Sequence, residues 1–419
     1  MALRRWFSFA FSLLFACARK EASCKESELA PISEPYLALL LSDYASTQVV
    51  IQKGDGTLFP WIDSGTRPPR IVATLSGDVV FPRSLPSKEI LVLIDRFQTD
   101  VLTVIPFSNP SALFQRDLRG GRTSGTSPNP HDLLALRDGR WVITRFNPPE
   151  RSGVSPIAHG NDLLILDANH HEIEGRVELR ADTEIDGVIY YARPSGLARL
   201  EENGEEYVLV GLARLSSFTL RRTGPGALAL WHPPSGRVEI LELPGLSNCG
   251  AVASAPSAPS FAFALCRGDA FSESPPPRAG LVQIRIQGGH LLELRRATPE
   301  LIPSLPHPSN GLIPITTSTL LYVSSGSFEN AKGDRLVAFD FESGEAQVIF
   351  ESDPPPFELG EGALDVSNEQ ALIPEGNTLA ILRFKASSPF EQLPSIRLDH
   401  PCLRLPPRQV LVITAQNQP

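Results

Sequence analysis

The sequence predicts an all-β fold assembled from repeated four-stranded sheets. Three observations predict it. Apolar runs of about five to eight residues alternate with turn signals along most of the chain, and no long stretch keeps a 3.6-residue period, so helices should be few. The 419 residues include 39 Pro and 31 Gly, spread along the chain, which is the punctuation many short strands need. A strand-opening motif of small and polar residues also recurs. It reads "NPHDLLAL" at Asn129, "ARPSGLARL" at Ala192, "LSNCGAVAS" at Leu246, "HPSNGLIPI" at His307 and "LGEGALDVS" at Leu359.

The chain opens on "MALRRWFSFAFSLLFACARK". Arg4 and Arg5 precede an apolar stretch, Trp6 to Ala16, that is short for a membrane span and is followed at once by polar sequence. Residues 1–16 therefore read as an export signal, and 17–34 as a polar tether. Leu14-Phe15-Ala16-Cys17 resembles the bacterial lipobox, which implies lipid on Cys17; Phe15 stands where that pattern has a small or β-branched residue. From residue 35 to 419 the strands follow one another: "YLALLL", "TQVVIQ", "EILVLID", "DVLTVIPF", then the repeated units. Each unit has an opening strand, a second strand, a longer loop and a two-strand hairpin such as "LALWHPPSGRVEIL" or "LVAFDFESGEAQVIF". Four strands per recurring unit predict a β-propeller. Its blades begin near Arg70, Pro128, Arg193, Ser247, Ser309 and Phe357. The remainders, Tyr36–Gln52 and Pro401–Ala415, form a seventh blade that pairs the two ends and removes the open edge.

The segments "SDYASTQVVIQ", "NPHDLLALRDGRWVITRF", "NDLLILD" and "NCGAVAS…FALC" resemble those of YncE-like seven-bladed propeller repeat proteins, in particular bacterial lipoproteins that carry such propellers. The likeness spans most of the chain after residue 35. It implies a cell-envelope protein anchored to a membrane by lipid alone. Related repeats serve in lactonases, dehydrogenases and pure scaffolds, so the resemblance sets the fold and leaves the activity open.

Within "NPHDLLALRDGRWVIT", Asp138-Gly139 marks a hairpin between two strands, because Gly accepts positive φ at low cost. The first of these strands lines the central channel of a propeller, which places His131 and Asp132 near its mouth. Asp132 then either accepts from backbone amides of the incoming loop, with His131 packed beside it, or both face a pocket. Comparable positions in other units are Arg193, Ser195, Asn248, Asn310 and Glu361, and Arg145 and Arg193 would give positive charge for an anionic ligand. Cys249 and Cys266 fall on neighbouring strands and are expected to pair. Cys24 and Cys402 lie near the termini that the closing blade brings together, and either form a second pair or stay as free thiols.

A formal net charge of -9 argues against nucleic acid and anionic lipid as partners. There is no Cys-x-x-Cys-His haem site, zinc spacing, phosphate loop, nucleophile elbow or triad spacing in the sequence. His170-His171 and the acidic "RADTEIDG", with Asp182, Glu184 and Asp186, read as solvated loops. The expectation is a monomeric, non-enzymatic propeller without cofactor that binds an envelope protein, peptide or glycan. The alternative is a lactonase-like hydrolase with a divalent cation among Asp132, Asn248, Asn310 and Glu361.

Overall fold

The structure is a computed structural model. It describes residues 29–67, 70–121, 127–149, 155–168, 172–216, 222–269, 278–355, 358–385, 388–398, 400, 402–403 and 405–413. The segment expected to be an export signal, Cys17, Cys24 and His170-His171 lie outside the described residues.

Seven four-stranded antiparallel sheets follow one another as the blades of a propeller, with a smaller three-stranded sheet beside them. The opening strands of blades 1 to 6 are Val79–Val80, Pro130–Ala135, Pro194–Glu202, Ala251–Ala255, Asn310–Pro314 and Ala363–Asp365. In blade 7 the opening strand comes from the C-terminal end, Pro407–Val412, and the other three from the N-terminal end: Pro35–Ser42, Thr47–Lys53 and Leu58–Asp63. The two ends pair antiparallel, Leu37 with Val412 through Leu40 with Gln409, as the closure of a propeller requires. From blade 2 to blade 7 the opening strands also touch one another in sequence, so they form the innermost ring.

The core explains the continuous apolar runs. Seven clusters of buried side chains each draw on two adjacent blades, and together they run once round the ring. Alternate residues of a strand point to opposite faces of its sheet. Leu37, Leu39 and Leu41 thus pack toward blade 6, while Ala38 and Leu40 pack toward blade 1. Tyr207 and Leu209 pack toward blade 4, and Val208, Val210 and Leu212 toward blade 2. A middle strand covered on both faces shows no polar alternation, which is why "EYVLVGL" reads as one apolar block. Outermost strands keep an exposed face, as in Ala346–Glu351.

Two features depart from the sequence reading. The acidic stretch is a hairpin, not a loop: Thr183–Ile185 and Val188–Tyr191 pair with each other and then with Leu215–Ser216 as the small extra sheet. Asp182 Oδ1 accepts there from the Ala192 amide at 2.7 Å and from Asn161 Nδ2 at 2.9 Å. Blade 1 opens later than expected from Arg70, because 70–78 runs irregularly before a strand of two residues.

Candidate functional site

One end of the axis is built by a repeated backbone device. Asn129, Arg193 and Asn248 each take φ near +50° just before an opening strand, at 52°, 49° and 55°. Their carbonyls accept from Phe146, Ala213 and Arg267, at the end of the second strand or just beyond it, at 3.1, 3.2 and 3.0 Å. Asp78 and Arg96 make the same contact in blade 1 at 3.1 Å. The opening strands of blades 2 and 3 then bulge between Pro130 and Leu133 and between Pro194 and Leu197. His131 and Ser195 occupy matching positions in these bulges, and His131 Nδ1 lies 3.1 Å from Ser195 Oγ.

The His131 ring stacks on Phe146, with centroids 4.4 Å apart and planes 5° from parallel. The Arg193 guanidinium also lies over Phe146, 5.2 Å from its centroid. Burial, followed by the positive charges of Arg96, Arg267 and Arg193, holds the imidazole well below its ordinary range. It is therefore neutral at physiological pH. Arg267 belongs to the same neighbourhood from blade 4. Burial pulls its guanidinium down, as do Arg83 and Arg96, while Glu361 from blade 6 pulls it up. Arg83 and Arg96 of blade 1 and Glu361 of blade 6 are thus near enough to Arg267 of blade 4 to act on its charge. Among the described residues, no side-chain hydrogen bond or ion pair engages Arg83 or Arg267, whereas Arg96 is paired with Asp78 through Nε at 3.0 Å.

Asp132 takes the structural option. It is only 3% exposed. Oδ1 accepts from the amides of Arg83 at 3.1 Å and Leu133 at 2.8 Å, and Oδ2 from that of Leu197 at 2.9 Å. One carboxylate thus clamps three successive blades at the axis and is not presented to a ligand or cation. Its burial pushes the carboxyl up to about 6. The folded state then holds this proton more tightly than an unfolded chain, whose carboxyl titrates near the ordinary value of 3.8. The linked stability is present below pH 4 and lost as pH rises through 6, by about 3 kcal/mol for such a shift. Urea unfolding of the wild type and of Asp132→Asn should therefore show a difference in stability that changes between pH 4 and 7. A constant difference would refute this.

Arg145 does not face a ligand, contrary to the sequence expectation. It is completely buried and makes a bidentate pair with Asp162, Nε to Oδ1 and Nη2 to Oδ2, both 2.8 Å. Its Nη1 donates to the carbonyls of Ile157 at 2.8 Å and Leu118 at 3.3 Å. Arg193 is also buried; Nη1 donates to Asn147 Oδ1 at 2.7 Å, and burial brings its guanidinium down to about 10. It shapes the mouth from behind Phe146. Asn248 and Asn310 are half-buried at the starts of blades 4 and 5. Glu361 accepts from Gln409 Nε2 at 3.1 Å, and Gln409 in turn bridges to both backbone groups of Phe81, linking blades 6, 7 and 1. Among the described residues, no group of three His, Cys, Asp or Glu is placed to hold a metal ion.

The Cys249–Cys266 disulfide is present and fully buried, directly behind Asn248 and Arg267. It joins the start of blade 4 to the end of its second strand and so fixes the backbone that carries Arg267. Cys402 is also disulfide-bonded, while Cys24, its candidate partner, is outside the described residues. Gly211 and Gly196 let blades 3 and 4 approach here. A Cβ on Gly211 would sit 2.3 Å from the Gly250 carbonyl oxygen, and one on Gly196 would sit 2.9 Å from it. Sequence reasoning missed Arg83, Arg96, Phe146 and Arg267. The last three share one signal: each sits at the end of a second strand or just beyond it, after the apolar runs "LVLID", "WVITR" and "FAFALC".

No known family pattern and no curated protein matches the chain in sequence. Solved structures do match in shape. The periplasmic gluconolactonase of Pseudomonas aeruginosa superposes with a TM-score of 0.56 at 13% identity, over 92% of this chain and all (100%) of that one. A protein from Lactobacillus plantarum gives 0.54 at 10% identity, over 91% and 99%. One from Desulfotomaculum acetoxidans, described as functionally unknown, gives 0.54 at 12% identity, over 91% and 99%. At these identities the likeness is one of fold. The described residues form a β-propeller of seven four-stranded blades, shared in architecture with proteins that include a bacterial lactonase.

Proposed function

We propose that the channel mouth binds a small anionic molecule, and that the chain does so in the cell envelope, tethered to a membrane by lipid on Cys17. The observation that carries the binding site is the gathering of Arg96 and Arg267 around a neutral His131, with Arg83 and the carboxylate of Glu361 near Arg267. Two of the three guanidinium groups have no side-chain partner among the described residues, so their charge is open to a ligand. Arg presents a fork of donors that suits carboxylate and phosphate oxygens. A positive mouth on a chain of formal net charge -9 also concentrates anions at one point of the surface.

Titration calorimetry with gluconate and with inorganic phosphate tests this. Saturable binding that weakens with salt is expected, with glucose inert and Arg267→Gln at least ~10-fold weaker, equivalent to about 1.4 kcal/mol. Unchanged affinity in Arg267→Gln, or no saturable binding, would overturn it. A chain without lipid on Cys17, by mass spectrometry of membrane-derived protein, would remove the tether.

A second reading is favoured by one observation, the neutral imidazole placed among arginines. A neutral His accepts a proton, and neighbouring guanidinium groups stabilise a developing oxyanion. That combination suits the hydrolysis of a lactone or ester that carries an anionic group. The shared fold with a protein named as a gluconolactonase agrees with it.

A further inference from the structure

Ser195 and His131 come from adjacent blades and are 64 positions apart in the chain, yet Oγ and Nδ1 lie at hydrogen-bond distance, 3.1 Å. Both side chains are half-buried at the mouth and keep some access to solvent. The hydroxyl is positioned from behind: the Ser195 carbonyl accepts from Thr144 Oγ1 at 2.8 Å, and the next amide, Gly196, donates to Gly250 O at 2.8 Å. Gly250 also keeps space beside it, since a Cβ there would sit 3.2 Å from Ser195 Cβ and 3.5 Å from Oγ. The imidazole is oriented by parallel stacking on Phe146 in place of the usual acidic partner. A hydroxyl within reach of an oriented base is the arrangement of an activated nucleophile.

We propose that Ser195 is the nucleophile, and His131 its general base, for acyl transfer from a lactone or ester that carries an anionic group; this rests on the hydrolysis reading above. His131 Nδ1 takes the hydroxyl proton as Oγ bonds to the carbonyl carbon. The tetrahedral oxyanion forms near the arginine charges. It collapses with cleavage of the bond to the alkoxy oxygen, which receives the proton from His131 and leaves as the alcohol, or as the free hydroxyl of an opened lactone. Water then attacks the acyl-serine and gives a proton to Nδ1. The carbon–Oγ bond breaks, the acid is released, and Ser195 regains its proton from His131. No metal or oxidant is needed, and water is the sole co-reactant.

The test is covalent. The folded chain is treated with diisopropyl fluorophosphate and mapped by mass spectrometry. The expected result is one adduct, on Ser195. It should be absent in Ser195→Ala, form at least ~100-fold more slowly in His131→Gln, and form more slowly when gluconate is present. Its rate should stay flat from pH 8 down past the ordinary His range, because the imidazole is neutral there. A hydrogen bond that merely tied two blades would move the melting temperature but produce no selective adduct. Absence of the adduct, or equal rates in His131→Gln, overturns the proposal. If gluconate still binds in that case, the anion site stands alone; if Ser195 is labelled but gluconate does not bind, the nucleophile stands without the anion site.

Discussion

A chain ended after Pro406 should fail to form a stable propeller. Pro407–Val412 is the innermost strand of blade 7 and the partner of Pro35–Ser42. Its removal takes Val410, Leu411 and Ile413 out of the two clusters that join blade 7 to blades 6 and 1. Three buried aliphatic side chains are together worth roughly 5–9 kcal/mol. A whole domain is commonly stable by about 5–15 kcal/mol, so this loss alone approaches the total. The cut also removes Gln409, whose amide bridges Phe81 and Glu361. The freed edge of Pro35–Ser42, an apolar strand, becomes a template for association. The expected result is loss of the cooperative melting transition in circular dichroism, with soluble aggregates on size exclusion. A shortened chain that remains monomeric and melts within a few degrees of the full one would show that the ring does not depend on its closing strand.

Arg145→Ala should lower the unfolding free energy by about 3–5 kcal/mol, the usual cost of removing one partner of a buried pair. The guanidinium ties blade 2 to itself through Asp162 and the carbonyl of Ile157, in the loop between its second and third strands, and to the incoming chain through the carbonyl of Leu118. Without it, Asp162 keeps only Arg176 among the described residues, 3.0 Å away, as an ionic partner, and two carbonyls lose their donor. Urea unfolding should show the midpoint falling with little change in slope. Arg145→Met should be nearly as damaging, because volume without donors leaves the same oxygens unsatisfied. A loss below about 1 kcal/mol in both variants would mean that water replaces the guanidinium readily.

The fold was legible because a propeller repeats. Blade starts expected at Pro128, Arg193, Ser247, Ser309 and Phe357 precede the strands at Pro130, Pro194, Ala251, Asn310 and Ala363 by a few residues. Arg70 misleads because turn residues there precede a strand too short to carry a period. The mouth was only half legible. Position along a repeat brought His131, Ser195, Asn248 and Asn310 to strand starts, but it cannot say which side chain turns inward. Arg145 ends a second strand and turns toward Asp162; Arg267, one place further along its own repeat, belongs to the mouth. One step along a strand reverses the face, so a register read to within a residue or two cannot separate a brace from a binding group. The meeting of Arg83, Arg96 and Arg267 is a property of the closed circle, and no local pattern encodes it.

The assignment of successive side chains in one strand to different inter-blade layers has a wider consequence. The unit of heredity for this architecture is the seam, not the leaf. A single-residue insertion within Tyr207–Leu212 exchanges the residues facing blade 2 with those facing blade 4, and so spoils two seams at once. Length changes are tolerable in the connecting loops and intolerable in the strands, and the chain can gain or lose a blade only as a whole module whose two faces already match its new neighbours.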